Sequence, residues 1–135
     1  MSPKEYLNQA YWAERDIRLK EEEIAMMETT LYNITANYSS NGSSASGSVR
    51  NQKEILSCKL IDYKTELKKE ISKLTELKEE IKRSISTVDN KTFREVLIRR
   101  YIFYQKWETV SKHMHYSVRH VLRIHKAALN EIRCP

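Results

Sequence analysis

Glycine, proline and cysteine are all scarce in this chain of 135 residues, which contains two of each. The prolines stand at positions 3 and 135, and both glycines lie in one serine-rich segment. A β-sandwich or barrel needs many turns, and turns depend on such residues, so the composition argues against those folds and favours long uninterrupted helices. We therefore expect an all-α protein.

The same scarcity bears on chemistry and location. Two glycines in one segment leave no glycine-rich loop for phosphate binding. Cys58 and Cys134 are far apart in the sequence and lack metal-ligand spacing, which is typical of a reduced protein of the cytoplasm. Cys58 stands beside Leu56 and Leu60 and is expected to be a packed thiol. No apolar run approaches the ~18 residues of a membrane span, and no signal-peptide pattern opens the chain. We expect a soluble protein without a membrane partner.

The four histidines fall into two pairs. His113 and His115 are two residues apart, and His120 and His125 are five apart. Residues two or five apart on a helix point in different directions, so these histidines do not form a metal site and are expected at the surface or in turns. No nucleophile or acid–base pair accompanies them. The sequence therefore predicts neither a cofactor nor an enzyme.

The first 88 residues have the pattern of two long helices. Ser2-Pro3-Lys4-Glu5 predicts a capping box, with Ser2 as the N-cap and Pro3 at the first helical position. Apolar or small residues then recur every three or four positions over roughly 35 residues, interrupted only at Lys20. This spacing is that of a heptad seam. The members of this seam are Tyr6, Ala10, Ala13, Ile17, Ile24, Met27, Leu31, Ile34 and Tyr38.

A serine-, glycine- and asparagine-rich segment, residues 37–48, predicts a flexible loop, and a second heptad seam follows it. Two helices of similar length joined by a loop can lie antiparallel and bury both seams, so residues 1–88 are expected to form a coiled-coil-like helical hairpin. Such a hairpin leaves apolar surface exposed, which favours a homo-oligomer or a partner-binding segment. The second seam consists of Leu56, Leu60, Tyr63, Leu67, Ile71, Leu74, Leu77, Ile81, Ile85 and Val88.

Charge also divides the chain at the end of the predicted hairpin, between residues 88 and 89. Residues 89–135 hold ten lysines and arginines against four acidic residues, which equals the net charge of +6, while residues 1–88 are balanced at fourteen of each sign. A neutral part joined to a basic part is the asymmetry expected when one segment organises the molecule and the other meets a polyanion. We therefore expect two domains, 1–88 and 89–135.

The basic domain has the pattern of three helices. Residues 86–90 break the second long helix and supply caps for a helix ending near Phe103, and residues 104–106 separate it from a short helix at 107–115. Ser117 is then placed to cap a helix from Val118 to about Arg133. A short helix, a tight turn and a longer basic helix predict a trihelical helix-turn-helix domain. The inward positions of the last helix are Val121, Ile124, Ala128, Leu129 and Ile132.

Residues 97–129 carry a family resemblance. An aromatic residue precedes Glu at Trp107-Glu108, a Tyr-Ser step leads into the last helix at Tyr116-Ser117, and Arg123-Ile124-His125 with Ala128-Leu129 closes the motif. This run resembles region 4 of sigma-70-type factors and, more closely, the ArpU/RinA-type phage regulators of late-gene transcription. The turn position that is usually Gly in this family holds His115. A left-handed backbone there is costlier for His than for Gly, though less so than for a β-branched residue.

The resemblance implies a sequence-specific transcriptional regulator of phage type that binds promoter DNA in the host cytoplasm, with host RNA polymerase as a further partner. The residues themselves fit double-stranded DNA, because arginines four apart on a recognition helix share a face and can fork onto guanine edges, while other cations meet phosphates. The candidate DNA-binding residues are Ser117, Val118, Arg119, His120, Leu122, Arg123, Lys126, Lys112, Arg99 and Arg100.

Two alternatives stay open. A small terminase-like DNA-packaging protein also combines a helix-turn-helix with oligomerising helices, although it usually carries the DNA-binding part first. A helical interaction or inhibitor protein would use the trihelical end to bind protein instead of DNA. Salt-dependent duplex binding would separate the regulator and the terminase-like protein from the interaction or inhibitor protein. Ring-shaped oligomers would favour the terminase-like protein over the regulator.

Overall fold

A computed structural model of the chain describes residues 1–40 and 47–134. These residues are helical almost throughout and contain no β-strand, which confirms the predicted all-α class. They form a π-helical turn, Ile98–Ile102, and five α-helices: α1 (Pro3–Ser40), α2 (Gly47–Ser86), α3 (Lys91–Leu97), α4 (Trp107–Met114) and α5 (Val118–Glu131).

The segment predicted as a loop, residues 37–48, is helical at both of its ends. Helix α1 extends to Ser40 and α2 begins at Gly47, while residues 41–46 lie outside the described part of the chain. Serine and asparagine disfavour a helix by less than ~1 kcal/mol per residue, so an established helix can continue through several of them. Composition therefore misplaced the edges of the predicted loop, and its central part, residues 41–46, falls outside the described residues.

Helix α1 begins with the predicted capping box. The Glu5 N–H donates to the Ser2 hydroxyl at 3.2 Å, and the Ser2 N–H donates to the Glu5 carboxylate at 3.3 Å. The predicted seam is also the side of α1 that is shielded from solvent, since its members through Ile34 are buried or half-buried, including Lys20. Leu7, beside the seam, is fully buried as well, which periodicity alone did not indicate.

The helices contribute to two compact units, which are Met1–Glu14 with Lys73–Pro135, and Arg15–Ser72. The first unit contains the start of α1, the end of α2 and all the later elements. The boundary that the charge division predicts, between residues 88 and 89, falls inside this first unit.

Ion pairs join α1 to α2 within each unit. In the second unit Lys20 pairs with Glu70, and Lys64 lies 2.8 Å from Glu28. In the first unit Lys78 lies 3.6 Å from Glu14, and the hydroxyls of Tyr6 and Ser84 are 3.4 Å apart. In both units the residue numbers on α2 fall as those on α1 rise.

A capped turn separates α2 from α3. The Asn90 side chain accepts hydrogen bonds from the N–H groups of Thr92, at 2.9 Å, and Phe93, at 3.3 Å, so the predicted cap is present. Helix α3 then passes into the π turn, and Tyr104 adopts a left-handed conformation with φ of 56°. The predicted break at residues 104–106 thus coincides with a backbone conformation that a continuing helix excludes.

Cys58 and Cys134 are free thiols. Cys58 is exposed, so the expectation of a packed thiol was wrong. It stands two positions from both Leu56 and Leu60, and residues two apart on a helix face different sides. Within residues 1–40 and 47–134, no helix combines the length and apolar character needed to cross a bilayer.

Burial along α2 generates a stability prediction. Ile81 is 0% exposed, whereas Ile61 on the same helix is 64% exposed. We expect Ile81→Ala to lower the free energy of unfolding by about 2–5 kcal/mol, because it removes buried methylene groups and leaves a cavity. The matched variant Ile61→Ala is expected to stay within about 0.5 kcal/mol of wild type. Urea unfolding followed by circular dichroism measures both, and equal effects of the two variants would contradict the assigned burial.

Candidate nucleic-acid interface

A small apolar cluster positions α5. Val96 of α3, Val110 of α4, and Val121 and Ile124 of α5 are buried together. Contacts of α5 with both α3 and α4 follow from this cluster. Three larger, partly buried side chains pack around it: Phe93, Trp107 and Met114. Because one side of α5 is held by this cluster, its other side is presented to solvent.

The link between α4 and α5 is a tight turn fixed by hydrogen bonds. His115 has φ of 59° and ψ of 35°, the left-handed conformation considered for this position. The N–H groups of His115 and Tyr116 both donate to the Ser111 carbonyl, the latter at 3.3 Å, and the Ser111 hydroxyl donates to the Tyr116 carbonyl. The turn is therefore closed without glycine, since histidine tolerates positive φ better than most residues.

Helix α5 starts at a well-defined cap. Ser117 is extended, with φ of −66° and ψ of 155°, and its hydroxyl accepts a hydrogen bond from the His120 N–H at 3.1 Å. The Tyr116 and His120 rings meet edge to face at 4.7 Å between centroids. The predicted N-cap is confirmed, and the first turn of α5 is thereby fixed in direction.

Two sides of α5 differ in character. Val121, Ile124 and Ala128 are buried, as the sequence predicted, and Leu129 and Ile132 are half-buried and buried respectively. Helical geometry at about 100° per residue puts the cations of α5 opposite the buried side. Most of the predicted site residues are exposed, namely Ser117, Arg119, His120, Leu122, Arg123 and Lys126 on and before α5 and Lys112 on α4, while Val118 is half-buried.

Arg99 and Arg100 differ from the other predicted site residues. Both belong to the π turn and are partly buried. The Arg99 Nε donates to the Glu95 carboxylate at 2.7 Å. The Arg100 guanidinium donates to the Gln105 carbonyl at 3.0 Å and lies 4.5 Å from the centroid of the Trp107 ring. These contacts give both arginines a packing role, and contact with phosphate stays a prediction for them.

His125 corrects the expectation that all four histidines lie at the surface or in turns. It is buried, and its Nε2 lies 2.6 Å from the Tyr101 hydroxyl. The Trp107 ring meets the imidazole edge to face at 4.7 Å between centroids. His125 follows Ile124 on the buried side of α5, a position that the apolar pattern did not count because histidine is polar.

Burial sets the ionisation of this pair. Desolvation, assisted by the charges of Lys4 and Arg100, lowers the pKa of His125 from 6.5 to about 4. Desolvation also raises the pKa of Tyr101 to about 12, against a smaller lowering by Arg100. Near neutral pH both groups are therefore uncharged, and the phenol and the imidazole satisfy each other through one hydrogen bond.

Metal-ligating side chains are not grouped in the described part of the chain. The described residues contain no group of three or more His, Cys, Asp or Glu side chains arranged to hold a metal ion. What they bring together is an exposed set of cations, with a hydroxyl and an imidazole, around the start of one capped helix. Such a set can donate hydrogen bonds and neutralise negative charge.

Comparisons with known proteins return nothing for this chain: no protein-family model, no curated protein and no solved structure matches it.

The His125–Tyr101 pair predicts a pH dependence of stability. Between pH 6.5 and 4 the unfolded chain binds a proton at His125 that the folded chain does not, so stability falls as the pH falls through this window. The loss attributable to His125 approaches about 3 kcal/mol at pH 4. In His125→Gln, which keeps an acceptor for Tyr101 but does not titrate, this part of the slope should disappear. Urea unfolding of both proteins at pH 7, 5.5 and 4 measures it, and identical slopes would contradict the assignment.

Proposed function

We propose that this protein is a sequence-specific, double-stranded-DNA-binding transcriptional regulator in which α4, the turn and α5 form a helix-turn-helix. The observation that carries this function is the exposed cationic side of α5, opposite the residues that hold the helix in place. Arg119, Arg123 and Lys126 lie on that side. Helix α5 is the recognition helix.

The early position of the arginines on α5 suits base reading. In helix-turn-helix proteins the first turns of the second helix reach the base edges in the major groove. Arg119 and Arg123 stand two and six residues after the Ser117 cap and share a helix face. An arginine can donate two parallel hydrogen bonds to O6 and N7 of guanine, which makes this pair the base-reading candidates.

The surrounding charge suits the DNA backbone. Residues 89–135 carry all of the net charge of +6. Lys112, in the last turn of α4, and Lys126 are exposed near the two ends of the candidate surface. Lysines there meet phosphates, which fixes the orientation of the protein without reading sequence.

Helices α1 and α2 serve as the organising segment. We assign them to a coiled-coil-like antiparallel hairpin, supported by the ion pairs of Lys20 with Glu70 and of Lys64 with Glu28. In the unit formed by residues 15–72, several large apolar side chains face solvent, including Leu19 on α1 and Ile61 on α2. Exposed apolar surface of this kind supports self-association.

The regulatory part of the function rests on the sequence resemblance of residues 97–129 to ArpU/RinA-type phage regulators and sigma region 4. That resemblance implies action at promoters in a bacterial cytoplasm, with RNA polymerase as a partner. The terminase-like and protein-binding alternatives are distinguished by experiment. Ring-shaped oligomers in solution favour the terminase-like alternative. Absence of duplex binding favours the protein-binding alternative.

Base reading and phosphate contact predict different behaviour in variants. Selection from random duplexes with the full chain should return a preferred site. Arg119→Ala or Arg123→Ala is expected to lose about 1–3 kcal/mol on that site and to discriminate less between bases. Lys112→Ala and Lys126→Ala should weaken preferred and scrambled duplexes about equally and make the salt dependence shallower by about one unit of slope.

The measurement is a titration of each variant against both duplexes at several salt concentrations. Exposed charges of the α2 surface supply the matched control, and Lys68→Ala should leave both affinities unchanged. If the arginine variants lose affinity equally for both duplexes, the base-reading role is wrong. If wild type binds no duplex, DNA binding itself is wrong.

Self-association through the long helices predicts a concentration-dependent mass. Leu19 is 64% and Met26 is 72% exposed, and the two stand seven residues apart on one side of α1. Replacing both with serine should shift the sedimentation equilibrium toward the monomer, because the exposed residues contribute to contact between copies and not to the fold. Glu21→Ser, exposed on a different side of the same helix, should not. A monomeric wild-type protein at high concentration would refute the assignment.

A further inference from the structure

Leu122 is an apolar side chain on the otherwise cationic side of α5. It is 41% exposed, and its exposed neighbours are Arg119, Arg123 and Lys126. A single exposed leucine is common on protein surfaces and needs no function by itself. Its position among three cations that are candidates for DNA contact gives it a specific chemical environment.

Helical geometry separates Leu122 from the core. At about 100° per residue, Leu122 lies roughly 125° from the centre of the side formed by Val121, Ile124 and Ala128, but only about 60° from Arg119. Val118, one turn earlier, lies between Leu122 and the core and is half-buried. Val118 and Leu122 therefore form a short apolar strip along one edge of the cationic side.

The partner of this strip follows from what a DNA groove offers. Base edges in the major groove present hydrogen-bonding groups and one apolar group, the C5-methyl of thymine. Leu122 lies on the second turn of a helix whose start is fixed by the Ser117 cap, within the part of a recognition helix that reaches bases. An apolar side chain beside a base-reading arginine matches a thymine placed beside a guanine.

We propose that Leu122 is a specificity-determining residue that packs against a thymine methyl group in the recognised site. This role rests on the proposed DNA-binding function and deepens it. The recognised sequence then contains at least one T·A pair that is read through its methyl group, next to a G·C pair read by Arg119 or Arg123. Leu122 contributes no hydrogen bond and no charge, so its effect is independent of salt.

Deoxyuridine provides the direct probe, because it differs from thymidine only in lacking the methyl group. The duplex returned by selection is prepared with each thymine replaced singly by uracil, and the affinity of the full-length protein is measured for each. At one position we expect wild type to lose about fourfold in affinity, the equivalent of one buried methyl group. Leu122→Ala should bind the thymine and uracil duplexes equally, with the affinity that wild type shows for the uracil duplex.

Two controls keep the result specific. Ile55→Ala removes an exposed apolar side chain from α2 and should keep the fourfold preference for thymine. Leu122→Ala is expected to fold, since the side chain is not in the buried cluster and alanine favours a helix. Circular dichroism checks this, and Leu122→Met, which keeps an apolar side chain, should retain a preference for thymine.

Three results would overturn the inference. If wild type binds a preferred duplex and shows no uracil effect at any position, no methyl group is read although DNA binding stands. Leu122→Ala retaining the thymine preference would assign the methyl contact to another residue. A Leu122→Ala variant that keeps full duplex affinity but loses self-association would place Leu122 in a protein contact. Absence of duplex binding by wild type is a separate outcome that overturns the proposed function and this role together.

Discussion

The contact of four small buried side chains decides which side of α5 faces solvent. Val96, Val110, Val121 and Ile124 come from three helices, and none is large enough to adapt by changing shape. Close-packed interiors tolerate little change in volume, so the orientation of α5 has little freedom. The direction in which the cations of α5 project is thus set first by apolar packing.

A buried polar contact adds to this apolar one. Tyr101 and His125 each bring a polar group into the interior, and each satisfies the other at 2.6 Å. Two buried polar groups are stable together only if their geometry is kept, so this pair also disfavours a rotated or shifted α5. Trp107, packed on His125 and beneath Arg100, connects the pair to α4.

Caps and turns that depend only on neighbouring residues were predictable from the sequence. The caps at Ser2, Asn90 and Ser117 and the left-handed backbone considered at His115 depend on residues no more than five positions apart. The buried side of α5 followed from apolar spacing. Periodicity could not indicate that His125 lies on that buried side, because its position depends on a tyrosine twenty-four residues earlier.

The intramolecular contacts of Arg99 and Arg100 could not be predicted from the sequence for a related reason. A count of cations gives charge but not the partner of each guanidinium, and both of these have intramolecular partners. The arginines of α5 were placed correctly at the exposed side because a regular helix fixes their direction relative to Val121 and Ile124. Where the backbone departs from an α-helix, as it does just before Phe103, that inference loses its basis.

The π turn has a consequence for chain length as well as for conformation. The Phe103 N–H donates to the Ile98 carbonyl, five residues back, so this turn contains one residue more than an α-helical turn would. Deleting one residue from it would restore α-helical spacing and turn the residues on either side by about 100° relative to each other. Tyr101 would then no longer point toward His125. The number of residues in this segment, independent of their identity, sets the angular register between α3 and everything that follows it.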